Sequence, residues 1–303
     1  MGDTLPDLKD IAGPRLIGYM LNSVLYGSLG VQVYFYYEAF PKDRRAIKCL
    51  VYTIFLLETL QTIMFFRDCF VVFTKGLGNP SEVNTTQLCW FAVAILDGIV
   101  GCIVQIFFAY RIFVLSKSKI VPSIICIVAI TQAISAVTAG IMARSTHISD
   151  TSKVSSLPIC IWLSGSAICD TLIASFMTYY LSRCNSKVRQ TRALISKLIR
   201  MTIETGSITA SVAVVVLVMF LLGKPNFFSA SITLSIILGK LYSNTTLVIL
   251  NSRRNISDID DASTSGQPLS LLNFEQDPNC NILGVLNDHE SGDSGARQIK
   301  ISV

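Results

Sequence analysis

Charge is scarce in this sequence. Asp, Glu, Lys and Arg make up 15% of its 303 residues, where soluble domains carry about 25%. With a mean hydropathy of +0.55, that shortfall excludes a soluble globular enzyme and a disordered chain alike. Histidine is nearly missing. His147 and His289 are the two examples, and neither lies in an apolar run, so no histidine-based catalytic constellation is expected. The nine cysteines include no CxxC pair, which removes zinc-ribbon and disulfide-framework readings. Cations are too few for a nucleic-acid footprint. No metal, cofactor, catalytic residue or nucleic-acid partner is expected.

What the chain has instead is apolar residues in blocks of about 20, the length that crosses a bilayer. Seven blocks are read: Leu16–Tyr37, Ile47–Phe73, Leu88–Tyr110, Ile120–Met142, Ile159–Leu181, Met201–Leu222 and Phe227–Leu250. Lipid leaves no partner for unpaired backbone groups, so such spans must be helices. The breaks between them carry loop chemistry, as in Pro41-Lys42-Asp43, Gly78-Asn79-Pro80 and Gly223-Lys224-Pro225-Asn226. The sixth helix is expected to begin early, because Leu194, Ile195, Leu198 and Ile199 keep helical apolar spacing. The fold class expected is all-α, an integral membrane bundle of seven transmembrane helices. Residues 1–15 form a short outer N-terminus, 16–250 the membrane domain and 251–303 a tail. That tail holds four basic and eight acidic residues, against +5 for the whole chain. Its Ser, Asp, Gly and Asn content predicts acidic disorder. The acidic first residues, with Asp3, Asp7 and Asp10, do not fit a cleavable signal peptide.

Lysine and arginine set an expected orientation. With the N-terminus outside, the outer segments carry six cations and the inner ones fourteen, which the positive-inside rule favours. The C-terminus is then cytoplasmic. Asn84-Thr85-Thr86 is a glycosylation sequon on the expected outer side, whereas the sequons at Asn244 and Asn255 fall in a helix and in the cytoplasm. Arg183, Lys187, Arg189 and Arg192 begin a basic third inner loop. Such loops are first of all topology signals, and they can also bind anionic lipid or an acidic cytoplasmic protein partner.

Ionisable residues inside spans are costly, at least ~2.5–3.5 kcal/mol each at a helix centre. Glu58, Asp97, Asp170 and Lys240 fall near one depth at about 1.5 Å of rise per residue, with Asn244 one turn below Lys240. Glu204 lies nearer the inner face. These groups are expected to point inward, Lys240 pairing with Glu58 or Asp97 and Asn244 joining the network. The plainer reading is a few interhelical hydrogen bonds fixing the bundle. Two further expectations concern packing. Trp90 and Trp162 sit near outer helix ends as interfacial anchors. Gly206/Ala210 and Ser207/Ser211 give two small-residue rows for close helix contact. A Cys89–Cys160 bridge is possible in an oxidising compartment, although cysteine in spans is more often a small apolar filler.

Five stretches carry a resemblance: Tyr34–Lys48 (YFYYEAFPKDRRAIK), Leu56–Thr62 (LLETLQT), Val104–Lys119 (VQIFFAYRIFVLSKSK), Leu198–Ser211 and Leu238–Arg253 (LGKLYSNTTLVILNSR). In this order they resemble the seven-transmembrane proteins of mushroom-forming fungi grouped as a domain of unknown function. The resemblance implies an integral membrane protein and no biochemical role. A lysine on the last helix is also shared with retinal proteins, but the microbial pattern's aspartate four residues earlier is Ile236 here. The expected function is a receptor-like or sensor membrane protein without catalytic activity, in the plasma membrane or an endomembrane. The alternative is a small-solute or ion transporter or channel using the membrane-embedded carboxylates.

Overall fold

The structure is a computed structural model that describes residues 8–41, 43–74, 90–144, 156–183, 189–222 and 225–252. Every described element is helical. The helices are α1 (Leu8–Ala39), α2 (Arg45–Thr74), α3 (Asp97–Ser116), α4 (Ile120–Arg144), α5 (Ser156–Arg183), α6 (Arg189–Leu221) and α7 (Pro225–Asn251). A π-helical segment, Trp90–Leu96, runs directly into α3. All seven are long and apolar enough to cross a membrane.

Most helix limits lie within a few residues of the sequence reading. The main difference is at α1, which starts at Leu8; α6 starts at Arg189, the early start that its apolar spacing predicts, and includes part of the basic stretch. The ends follow from local chemistry. Pro41 supplies no N–H to extend α1, and Asp43 accepts bonds from the Tyr36 hydroxyl at 2.9 Å and the Arg44 amide at 3.0 Å where α2 begins. α3 stops at Lys117, whose left-handed backbone (φ 53°) lets its amide bond the Phe113 carbonyl. Pro225 opens α7, where its missing amide hydrogen costs nothing.

The bundle closes because α7 returns to α1. Gly18 faces Thr233 and Ile236, Asn244 reaches the Leu25 carbonyl at 3.2 Å, and Asn251 reaches that of Gln32 at 2.8 Å. The register advances in the same direction on both, so α1 and α7 run parallel. α7 also packs on α6, α6 on α5, α5 on α4 and α4 on α3, while α3 touches α2, α5 and α7 as well. α3 and α7 are accordingly the most enclosed helices, and α1 and α6 the least.

The exterior is apolar and the interior polar. Leu56, Phe70 and Val24 are each 69% exposed, whereas Glu58, Gln61, Asp97 and Lys240 are buried. That inversion suits a chain whose solvent is hydrocarbon. Three apolar clusters fill the rest: a large one around Val104, Phe108, Met177 and Leu238, and one toward each end, around Phe65 and Trp162 and around Tyr36 and Leu250.

Two packing expectations are corrected. Trp162 is not an interfacial anchor on the outside: its ring is buried at the end of the bundle among Tyr19, Phe65 and Ile236. Of the two small-residue rows on α6, Gly206 approaches α5, where an added Cβ would stand 3.1 Å from that of Ala174. Ser207 and Ser211 are exposed and pack no helix. The side chain of Trp90 is outside the described residues.

Candidate functional site: two carboxylate networks in the bundle interior

Residues three and four apart share a helix face, and this spacing builds the first network. On α2, Glu58, Gln61 and Thr62 point inward; on α7, Lys240, Ser243 and Asn244 do so. Lys240 and Glu58 form a salt bridge in which both side chains are fully buried. An ammonium has three protons, and the other two of Lys240 go to the Glu58 carbonyl at 2.9 Å and Gln61 Oε1 at 3.1 Å. Its remaining side faces the Tyr26 ring, 5.5 Å from the centroid, within cation–π range. Tyr26 is fixed in turn by its hydroxyl bond to Thr59 at 2.8 Å. Glu58 Oε1 accepts from the Ser243 hydroxyl.

Gln61 is the junction. Its oxygen faces Lys240, and its amide donates to the Ala92 carbonyl of the π segment at 2.9 Å and to Asp97 Oδ1. Asp97, the first residue of α3, therefore reaches Lys240 through Gln61. It also lies hard against α7 at Gly239, where an added Cβ would collide with Asp97 Oδ1. Only a glycine admits that carboxylate. Asp97 Oδ2 is buried with no hydrogen-bond partner among the described residues. Fully ionised, Glu58, Asp97 and Lys240 sum to −1.

Asn244 ties α7 to α1. It donates to the Lys240 carbonyl at 2.8 Å and to that of Leu25, and accepts from Gln32 Nε2 at 3.0 Å. It meets the backbone of Lys240 and none of the charged atoms.

Asp170 on α5 belongs to a second network with α3, α4 and α7. Its Oδ1 accepts from Gln105 Nε2 at 3.1 Å and its Oδ2 from the Tyr242 hydroxyl at 2.7 Å. Gln105 Oε1 accepts from Gln132, and Tyr242 Oη lies 2.6 Å from Ser166 Oγ. The four ionisable residues that share one depth in the sequence thus divide between two networks, Glu58, Asp97 and Lys240 in one and Asp170 in the other, while Asn244 ties α7 to α1. Glu204 is 55% exposed and pairs with Arg200 along α6 at 2.7 Å.

Sequence reasoning missed Gln61, Gly239, Ser243, Tyr242 and Ser166. A signal existed for three of them, since Gln61 stands three residues from Glu58, and Gly239 and Ser243 flank Lys240 on the same helix. Arg15, one of the six cations counted on the outer segments, and Asp68 were also not expected inside the bundle. Both are buried, at 3% and 2% exposure. They sit one turn beyond Tyr19 and Phe65, whose ring centres are 5.5 Å apart.

Of the basic-loop residues, Arg183 ends α5 with its guanidinium 4.7 Å from the centre of the Tyr179 ring. Arg189 and Arg192 lie on the first turns of α6, with side chains outside the described residues. Lys187, the sequon at Asn84, Cys89 and the tail from residue 253 also lie outside them. Cys160 is unbridged among the described residues.

Residues 166–255 match a family described as being of unknown function, DUF6534. The match spans most of α5 and all of α6 and α7, and so includes Asp170, Lys240 and Tyr242. It takes in two of the five stretches that carry the family resemblance, Leu198–Ser211 and Leu238–Arg253. Neither a curated protein nor a solved structure matches the chain.

Proposed function

We propose that this is an integral membrane protein of receptor-like or sensor type without catalytic activity. In this reading the N-terminus is outside and the C-terminus cytoplasmic, and the protein resides in the plasma membrane or an endomembrane. Kinship with the seven-helix proteins of mushroom-forming fungi is part of the same proposal. The observation that carries the reading is the closure of the Lys240–Glu58 pair: both side chains are fully buried, and every proton of the ammonium has a named acceptor. A carrier must expose its charged site to one side and then to the other. A latch between α2 and α7 must instead be stable in one arrangement and breakable in another, as two-state signalling requires.

Two further features support this reading. α6 is the least enclosed helix, packing on α5 and α7 and leaving most of its surface outside the bundle. The cationic stretch from Arg183 to Arg192 lies between α5 and α6 in the sequence, and charge of this kind can dock an acidic partner.

The competing reading, a carrier or channel for a small solute, draws on Asp97 Oδ2, the buried carboxylate oxygen left unpartnered among the described residues. Reconstitution separates the two. Agonist-dependent nucleotide exchange on a G protein in reconstituted membranes is the outcome expected of a receptor. Ion-dependent solute flux in proteoliposomes without such coupling sinks the receptor reading.

A further inference from the structure

The second network points in one direction. A carboxylate only accepts hydrogen bonds, so Gln105 must present its amide to Asp170. Its oxygen is thereby turned toward Gln132, which donates to it. Tyr242 has one proton and aims it at Asp170 Oδ2, so Ser166 donates to Tyr242. The chains Gln132 to Gln105 and Ser166 to Tyr242 both end on Asp170. Cooperative donors of this kind are the surroundings of an ionised carboxylate. Asp170 is 5% exposed, and all of these partners are neutral. An isolated buried anion costs far more than its hydrogen bonds return.

Beside it lies a cavity of about 30 Å³ between α3, α5, α6 and α7, with Gln105, Asp170, Thr205, Thr209, Tyr242 and Thr245 on its polar side and apolar side chains such as Phe108 and Ile173 making up the rest of its wall. A water needs about 10–15 Å³ measured this way, so there is room for roughly two water-sized particles. The threonine hydroxyls already have uses for their protons. Thr205 donates to the Thr202 carbonyl at 3.3 Å and Thr245 to that of Tyr242 at 3.0 Å. Thr209 lies 3.2 Å from the Gly206 carbonyl and also hydrogen-bonds Asp170. What these hydroxyls have left to offer is oxygen lone pairs. An anion and hydroxyl oxygens around a small space are the ligands of a hard cation.

We propose that this cavity binds one small monovalent cation of the size of Na⁺, held by the Asp170 carboxylate with threonine hydroxyls completing its shell. The single carboxylate sets the valence, since one positive charge neutralises the site and two would leave it charged. The cation adds a second tie between α6 and the bundle, beside the hydrogen bond that Thr209 already makes to Asp170. The site is independent of the receptor reading: it is tested by binding to the purified protein, with no coupling partner or transported solute.

Full-length protein in detergent is unfolded thermally in NaCl and, at equal ionic strength, in choline chloride, whose cation is too large for the space. The expected result is a saturable rise in melting temperature with Na⁺, following the ligand-linkage relation, and equilibrium binding of ²²Na⁺ close to one per chain. Asp170→Asn should abolish both. Thr209→Val leaves the carboxylate in place and should shift the Na⁺ midpoint upward about tenfold, the effect of losing one charge-assisted contact. It decides the matter if Asp170→Asn does not fold. Equal stability in Na⁺ and choline, a stability that follows pH but not Na⁺, or an unchanged Na⁺ midpoint in Thr209→Val would overturn the site.

Discussion

Removing Lys240 exposes the energetics of the first network most directly. In Lys240→Met the apolar stem is kept in a side chain of similar length, and the ammonium is lost. Glu58 then stands fully buried with only the Ser243 hydroxyl and no counter-charge, while Gln61 loses the donor to its oxygen and Asp97 lies one hydrogen bond further on. Breaking a buried pair from one side costs about 3–5 kcal/mol. At roughly 2–4 °C per kcal/mol for a domain of some 200 residues, the melting temperature should fall by roughly 6–20 °C. Adding Glu58→Gln removes the stranded charge. The double variant should recover at least half of the loss, a coupling of about 2 kcal/mol or more, because neutral replacements of buried pairs are often tolerated. Asp97→Asn on the same background should recover less, since Asp97 meets Lys240 only through Gln61. Thermal unfolding of the wild type, the three single variants and the two doubles in one detergent gives both cycles. A double variant no more stable than Lys240→Met alone, or a larger rescue by Asp97→Asn than by Glu58→Gln, refutes the pairing.

Other outcomes follow from single contacts. Gly239→Ala should destabilise by about 1–3 kcal/mol, because its Cβ must push the Asp97 carboxylate off Gln61; unchanged thermal unfolding would contradict the close approach. Tyr242→Phe takes one of the donors from Asp170 and should cost about 1.5–3 kcal/mol in the same assay. Lys117→Gly removes a side chain from a left-handed position and should stabilise by about 1 kcal/mol; a loss of stability would mean that the lysine makes a contact outweighing its strain. For the proposed orientation, Asn84→Gln should abolish a glycosidase-sensitive gel shift, and protease added to intact cells should spare a C-terminal tag.

The helices and their interior charges were legible because both signals are local. Apolar length marks a span, and a rise of 1.5 Å per residue places Glu58, Asp97, Asp170 and Lys240 at similar depth. Depth says nothing of angle around the bundle. Asp170 faces α3 and α7 from the far side and meets Tyr242 two residues after Lys240, a step of about 200° around α7 at 3.6 residues per turn. Gly239 was invisible for a related reason: its role is to be absent where Asp97 arrives from a helix more than a hundred residues away. Trp162 shows the limit of compositional rules, since tryptophan near a helix end is equally suited to an interface or to a closed bundle mouth. The π segment before Asp97 left no trace in hydropathy, because widening the helix by one residue per turn changes no side chain.

The partners in the buried salt bridge are 182 residues apart in the chain. At about 5–20 residues per second of synthesis, roughly 10–35 s separate the emergence of Glu58 from that of Lys240. In a chain inserted helix by helix, α2 therefore waits in the bilayer with an acid that has no counter-charge, and α3 soon adds Asp97. During that interval the nascent protein is a substrate for whatever surveys membranes for stranded polar residues. Arrival of the last helix would end the exposure, and a chain truncated before α7 would keep Glu58 without the lysine that pairs with it.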